Sequence, residues 1–245
     1  MTPKVAVITG GSRGIGAATA DALAAEGWDI AISFRQDEEA AAAVVERCSA
    51  AGRQAIAVRA DVADPAAIDN LFASVDSELG PIGAVINNAG IVPPSGHVAT
   101  FDAARISQVL AVNVTGAFLV AGHGVRRMTT ANGGAGGVIV NISSRAAALG
   151  GSGEYVDYAA SKAAVDALTV GLASEVAAEG IRVVGLRPGL IDTEIHAPGR
   201  LDRLGTSPPL GRPGTAEEVA AAVVYLVSDG ASYVTGTSID VSGGR

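Results

Sequence analysis

Val5-Ala6-Val7-Ile8-Thr9-Gly10-Gly11-Ser12-Arg13-Gly14-Ile15-Gly16 runs from four apolar residues of strand character into a glycine-rich turn, and the Ala-rich stretch 17–26 follows with helical spacing. Strand, glycine turn and helix in that order form the context in which glycines signal a nucleotide site. Without side chains, the backbone can approach a pyrophosphate, and a helix N-terminus offers unpaired N–H groups and a favourable dipole. Working outward, strand-like runs are predicted over 29–34, 54–59, 84–86, 138–142, 181–186 and 238–241. Helices are predicted over 38–51, from Asp64-Pro65 onward, over 101–128 and 155–178, and from the capping-box pattern Thr215-Ala216-Glu217-Glu218. This alternation predicts an α/β chain built as a doubly wound parallel β-sheet with helices on both faces, in one domain over 1–245. Residues 188–214 are rich in Pro and Gly without a period, too long for an idle connection, and 190–213 are read as a substrate lid.

Composition narrows the functions. With 49% apolar and 17% charged residues the 245-residue chain has ample material for a core. Its 17 Lys and Arg against 25 Asp and Glu, a net charge of −8, argue against a nucleic-acid surface. The single cysteine, Cys48, cannot form an intrachain disulfide and reads as a small apolar residue. Together with an N-terminus that lacks a secretory pattern, it leads to the expectation of a cytoplasmic protein. The stretch 106–125 carries no charged residue but holds Ser107, Gln108, Asn113, Thr115 and His123, so a helix buried against protein is expected rather than a membrane span. His97, His123 and His196 lack metal-ligand spacing, and no Gly-x-Ser-x-Gly elbow is present, so neither a metal site nor hydrolase chemistry is expected.

The turn is spaced Gly-x-x-x-Gly-x-Gly. With Asp61-Val62, Asn87-Asn88-Ala89-Gly90, Asn113, Tyr158-Ala159-Ala160-Ser161-Lys162 and Pro188-Gly189-Leu190-Ile191-Asp192-Thr193 in order, the chain resembles the short-chain dehydrogenase/reductase family over nearly its whole length. The resemblance implies a Rossmann fold and hydride transfer between a nicotinamide cofactor and a small carbonyl or secondary alcohol. It also implies a homotetramer with the helices 101–128 and 155–178 packed between subunits and 233–244 near another contact. Gly10, Ser12, Gly14, Ile15 and Gly16 would hold the pyrophosphate. By the same resemblance, Asp61 and Val62 would meet the adenine, Asn87, Ala89 and Gly90 the adenosine ribose, and Pro188, Gly189, Ile191 and Thr193 the nicotinamide carboxamide.

Charge addresses which dinucleotide is used. The second strand ends Ser33-Phe34-Arg35 with no acid before Asp37, and Arg13 stands inside the glycine turn. Both arginines can reach a 2′-phosphate, which favours NADP(H) and leaves NAD(H) as the alternative. Tyr158 and Lys162 are spaced i, i+4 and share a helix face, so the ammonium is expected to lower the phenol's pKa and its donors to reach ribose hydroxyls. The resemblance makes Tyr158 the proton donor, Ser144 the hydroxyl that orients the substrate oxygen, and Asn113 the holder of a water on a proton path from Lys162. Alternation sends Ser143 and Ser144 to opposite faces, so only one can serve.

The interval from Ser144 to Tyr158 is one residue longer than the commoner family spacing, so Arg145, Glu154, Tyr155 and Asp157 are expected to shape the pocket. Val184 stands where many members have asparagine. The readings left open are an NAD-dependent alcohol or sugar dehydrogenase and a non-catalytic NADP-binding sensor or scaffold. For substrate, a 3-oxoacyl thioester, a polyol, and a steroid-like or xenobiotic ketone all remain. Arg200, Arg203 and Arg212 offer a basic entrance for an acidic carrier protein.

Overall fold

Ala6 and Ile8 pack on one face of the first strand and Val5 and Val7 on the other, so both faces of the sheet are apolar and both require cover. The computed structural model describes residues 4–195 and 199–245. Its strands are β1 (Val5–Ile8), β2 (Asp29–Phe34), β3 (Ala55–Arg59), β4 (Ala84–Asn87), β5 (Gly137–Ile142), β6 (Ile181–Pro188) and β7 (Ser238–Val241). They form one parallel sheet in the order 3-2-1-4-5-6-7.

One layer holds α1 (Gly14–Ala25), α2 (Glu38–Ala50) and α9 (Ala216–Val227), which bury Leu23, Val44 and Val223 against Ile8, Ile32 and Val140. The other holds α3 (Pro65–Glu78), α5 (Gly116–Met128) and α7 (Val156–Val176), which bury Phe72, Val120 and Val176 against Val7, Val85 and Ile139. Val184, on β6, is fully buried facing the first layer, and Cys48 is buried on α2, with its thiol pushed up to about 11 chiefly by burial. The expected capping box forms: Thr215 Oγ1 accepts from the Glu218 amide at 3.3 Å while the Glu218 carboxylate accepts from the Thr215 amide at 2.9 Å.

Two elements differ from expectation. The helix predicted over 101–128 is interrupted: α4 (Ala103–Leu110) passes through a five-residue π turn, Ala111–Thr115, into α5. The widened turn lets Asn113 face inward, where it accepts from the Ile91 amide at 2.8 Å and donates to the Ile91 carbonyl at 2.9 Å. By length and composition alone, Ala103–Met128 is apolar enough to cross a membrane, yet it carries this turn and buries Val112, Val120, Ala121 and Met128 against the sheet. The residues after β5 form α6 (Ala146–Leu149) and a turn with left-handed Gly150, Gly151 and Gly153. Residues 190–213 are not irregular throughout: Ile191 bridges to Gly214, and a short helix, α8 (Arg200–Leu204), follows. His196 lies outside the described residues.

Candidate active site

The strand order reverses between β1 and β4, and beyond the C-terminal ends of the strands the crevice opens into two chambers of about 620 and 790 Å³. Both are lined by Ile15, Asn88, Gly90 and Thr193, so they are contiguous.

The smaller chamber begins at the glycine turn. Gly10 is left-handed at φ +64, and a side chain there would meet the Ala89 backbone at 3.0 Å. At Gly16 a Cβ would come within 2.3 Å of the Gly10 carbonyl oxygen. Gly16 is therefore required for close packing behind the turn and is not on the chamber wall. The turn is held from two sides. The Ser33 hydroxyl accepts from the Gly10 amide at 3.2 Å, and the Asn88 amide nitrogen donates to the Thr9 and Gly10 carbonyls at 2.9 and 3.1 Å. No side chain caps α1 and no acid stands in its first turn, so its N-terminus faces the chamber with its dipole uncompensated.

Gly10, Ser12, Arg13, Gly14, Arg35, Asp61, Val62, Ala89 and Gly90 line this chamber. Arg35 Nη1 lies 3.9 Å from Asp61 Oδ2, with both side chains partly exposed. An uncapped helix N-terminus, glycines without side chains on the chamber's floor and two arginines on one wall suit a phosphate-bearing dinucleotide.

Asn87 departs from its expected place. It ends β4 with its side chain directed inward, where it donates to the Ala117 carbonyl at 2.9 Å and to Asn141 Oδ1 at 3.2 Å, and it lines neither chamber. Pleat alternation presents the next residue, Asn88, instead. Asn88 received no role from the sequence although it stood in the quoted motif; the parity of the strand was the available signal.

The larger chamber is lined by Ser144, Tyr158, Lys162, Pro188, Gly189, Ile191 and Thr193. Ser143 turns inward and donates to the Lys162 carbonyl at 3.0 Å, while the Ser144 hydroxyl bonds the Tyr158 phenol and pulls its pKa down. Burial outweighs that pull, and the phenol is pushed up to about 12. The expected lowering by Lys162 is not found. Its ammonium is directed to the Ile142 carbonyl at 2.8 Å, 5.8 Å from the Tyr158 ring centre, and burial draws it down to about 8.

Asn113 lies behind this chamber and donates to Ser161 Oγ at 3.0 Å. A Cβ on Gly90 would lie 3.3 Å from both Asn113 Oδ1 and Lys162 Nζ, so Gly90 keeps open the gap between them.

Arg145, Glu154 and Tyr155 shape this wall as expected, but Asp157 does not. Its carboxylate is buried against Arg105 at 2.7 Å, and it also accepts from the Tyr158 amide at 2.9 Å. The basic entrance is likewise corrected: Arg212 is paired to Glu218 at 2.7 Å, and Arg200 and Arg203 share Glu154 at 2.6 and 3.3 Å. Among the described residues, no group of three His, Cys, Asp or Glu could hold a metal ion.

Seven parallel strands wound on both faces, with a phosphate cradle beside a Ser-Tyr-Lys group, define a dinucleotide-binding α/β oxidoreductase. The family model described as enoyl-(acyl carrier protein) reductase matches residues 10–245. The chain belongs to the short-chain dehydrogenase/reductase family. It is 51% identical to "uncharacterized oxidoreductase YgfF" of Escherichia coli K12, covering 98% of this chain and 99% of that one. It is 40% identical to 3beta-hydroxysteroid dehydrogenase 1 of Eggerthella lenta, covering 98% and 93%. A short-chain dehydrogenase of Burkholderia cenocepacia J2315, solved in complex with NADP, superposes with a TM-score of 0.91 at 36% identity, covering 98% and 96%.

Proposed function

We propose that this oxidoreductase transfers hydride between NADP(H), preferred over NAD(H), and a small molecule carrying a carbonyl or secondary alcohol. The observation that carries the reading is the meeting of Ser144, Tyr158 and Lys162 on one chamber wall, contiguous with the phosphate cradle. Gly10, Ser12, Arg13, Gly14 and Ile15 would hold the pyrophosphate end, with Arg13 and Arg35 meeting a 2′-phosphate, Asp61 and Val62 meeting the adenine, and Ala89 and Gly90 beside the ribose. Pro188, Gly189, Ile191 and Thr193 would border the nicotinamide. When bound, the reduced cofactor supplies a hydride.

Every other task falls to side chains. Ser144 and Tyr158 hydrogen-bond the substrate oxygen, and Tyr158, with its proton held to about pH 12, donates that proton to the developing alkoxide. Lys162 then faces ribose hydroxyls and the phenol from the far side. Asn113 supports a water-borne proton path through the gap at Gly90. Residues 190–213 act as the lid.

A serine, a tyrosine and a lysine gathered on one chamber wall serve no purpose in a sensor or scaffold. Tyr158→Phe is expected to lower kcat/KM by about 10²- to 10⁴-fold while NADPH binding, read by calorimetry, persists. Turnover within a few-fold of wild type would overturn the assignment.

The protein is further proposed to act in the cytoplasm as a homotetramer, without nucleic-acid or membrane partners. Ile106, Leu110 and Phe118 of α4 and α5, and Val170 of α7, are apolar and exposed, which supports packing of these helices between subunits. Light scattering after size exclusion tests this, and a monomer would refute it.

A further inference from the structure

The wall beyond Tyr158 has a charge balance opposite to that of the chain. The chain carries 17 Lys and Arg against 25 Asp and Glu. Among the described residues, however, the charged side chains lining this chamber are Arg145, Lys162, Arg200, Arg203 and Arg245 against Glu154 alone. Two are engaged elsewhere: Arg145 donates to Asp240 at 2.8 Å, and Lys162 to the Ile142 carbonyl at 2.8 Å.

The other three line the same chamber as Glu154 and Tyr155. Arg200 Nη1 lies 2.6 Å from one oxygen of Glu154, its Nη2 bonds the Tyr155 hydroxyl, and its guanidinium lies 5.0 Å from the centre of that ring. Arg203 reaches the other Glu154 oxygen at 3.3 Å. The Arg245 side chain acts on the same phenol, drawing its pKa down against the upward effect of burial. Glu154 thus pairs with Arg200 and Arg203 alike, and Arg245 lines the same chamber. Arg200 is 11% exposed and Arg203 66%, so the cluster runs from inside the chamber out to solvent.

A guanidinium presents a planar fork of donors matched to a carboxylate, and partly buried positive charge is costly without a counter-charge. We infer that Tyr155, Arg200, Arg203 and Arg245 form a subsite for a carboxylate carried by the substrate, which makes the substrate class a small oxo acid or hydroxy acid. This rests on the carbonyl–alcohol reading above and adds the charge of the molecule. The rings of Tyr155 and Tyr158 meet edge to face with centres 5.6 Å apart, so the acid subsite lies one ring's breadth from the proton donor. One compact molecule can span both. Arg212, a cation that a carrier protein's acids would need, is already paired with Glu218.

The test compares turnover of 4-oxopentanoate and its methyl ester with NADPH, beside calorimetric binding of 4-oxopentanoate. The acid is expected to exceed the ester by about tenfold or more in kcat/KM, chiefly through KM. Arg200→Gln is expected to lower that acid-to-ester ratio about tenfold, and Arg203→Gln and Arg245→Gln by about threefold each. NADPH binding reports that each variant is folded; Arg203, at 66% exposed, is the substitution least able to disturb the fold.

Equal kcat/KM for acid and ester, or a ratio that none of the variants moves, overturns the subsite and leaves the oxidoreductase reading standing. Acid binding that depends on Arg200, with neither compound turned over, keeps the subsite and counts against the reaction. Absence of acid binding overturns the subsite.

Discussion

The chamber above α1 is floored by the glycine turn and closed by the ends of β2, β3 and β4, whereas the chamber beyond Tyr158 takes its charged and aromatic side chains from α7, α8 and the segments after β5 and β7. The first makes its contacts through amides whose direction the helix and the left-handed glycines set. The second makes them through guanidiniums and phenols whose direction depends on partners far along the chain, such as Arg200 on Glu154, 46 residues away. A backbone site tolerates little added volume, and a side-chain site tolerates change in volume but not in charge.

The sharpest way to break this contrast is to add volume on the backbone side. In Gly16→Val a Cβ 2.3 Å from the Gly10 oxygen forces the turn to shift. Overpacking costs roughly 1–3 kcal/mol, and calorimetry should show NADPH affinity falling about 10- to 100-fold. Unchanged affinity would mean that the turn is not the cofactor's seat.

A smaller effect is expected where side chains enter the first chamber. Arg13→Ala and Arg35→Ala should each reduce the preference for NADPH over NADH about tenfold, since a charged hydrogen bond contributes roughly 1.5–3 kcal/mol and both groups face solvent. Equal binding of NADH and NADPH by the wild type would remove the 2′-phosphate assignment.

The smallest effect concerns Lys162, the buried charge in the second chamber. Its pKa falls from 10.5 to about 8, so below pH 8 it is protonated in folded and unfolded chains alike and its burial penalty is fully felt. Between pH 8 and 10.5 the unfolded chain binds more protons, so this residue's contribution to stability rises with pH and then levels off. Urea denaturation of wild type and Lys162→Met across that interval should show the wild type gaining on the variant. A constant difference would place the ammonium in water.

How much was legible follows the same division. Helix N-caps at Asp64 and Thr215, the strand alternation of Val5 to Ile8 and the Ser143/Ser144 choice are local, and each lies where its pattern put it. Asn113 marked itself by polarity in an apolar helix, but the π turn that aims it depends on Ile91, 22 residues away. Asn87 and Asn88 were separable only by knowing which face of β4 meets Asn141. Asp157 resembled a pocket residue until Arg105, from another helix, drew its carboxylate away.

The order of strands, helices and glycines was determined by the sequence alone, because periodicity, capping and left-handed turns are properties of a few consecutive residues. The tertiary structure decided which charges meet. Ion pairs and burial act through space over a few ångströms, so only the packed chain shows that Arg212 is paired with Glu218 while Arg200 bonds Tyr155 and shares Glu154 with Arg203.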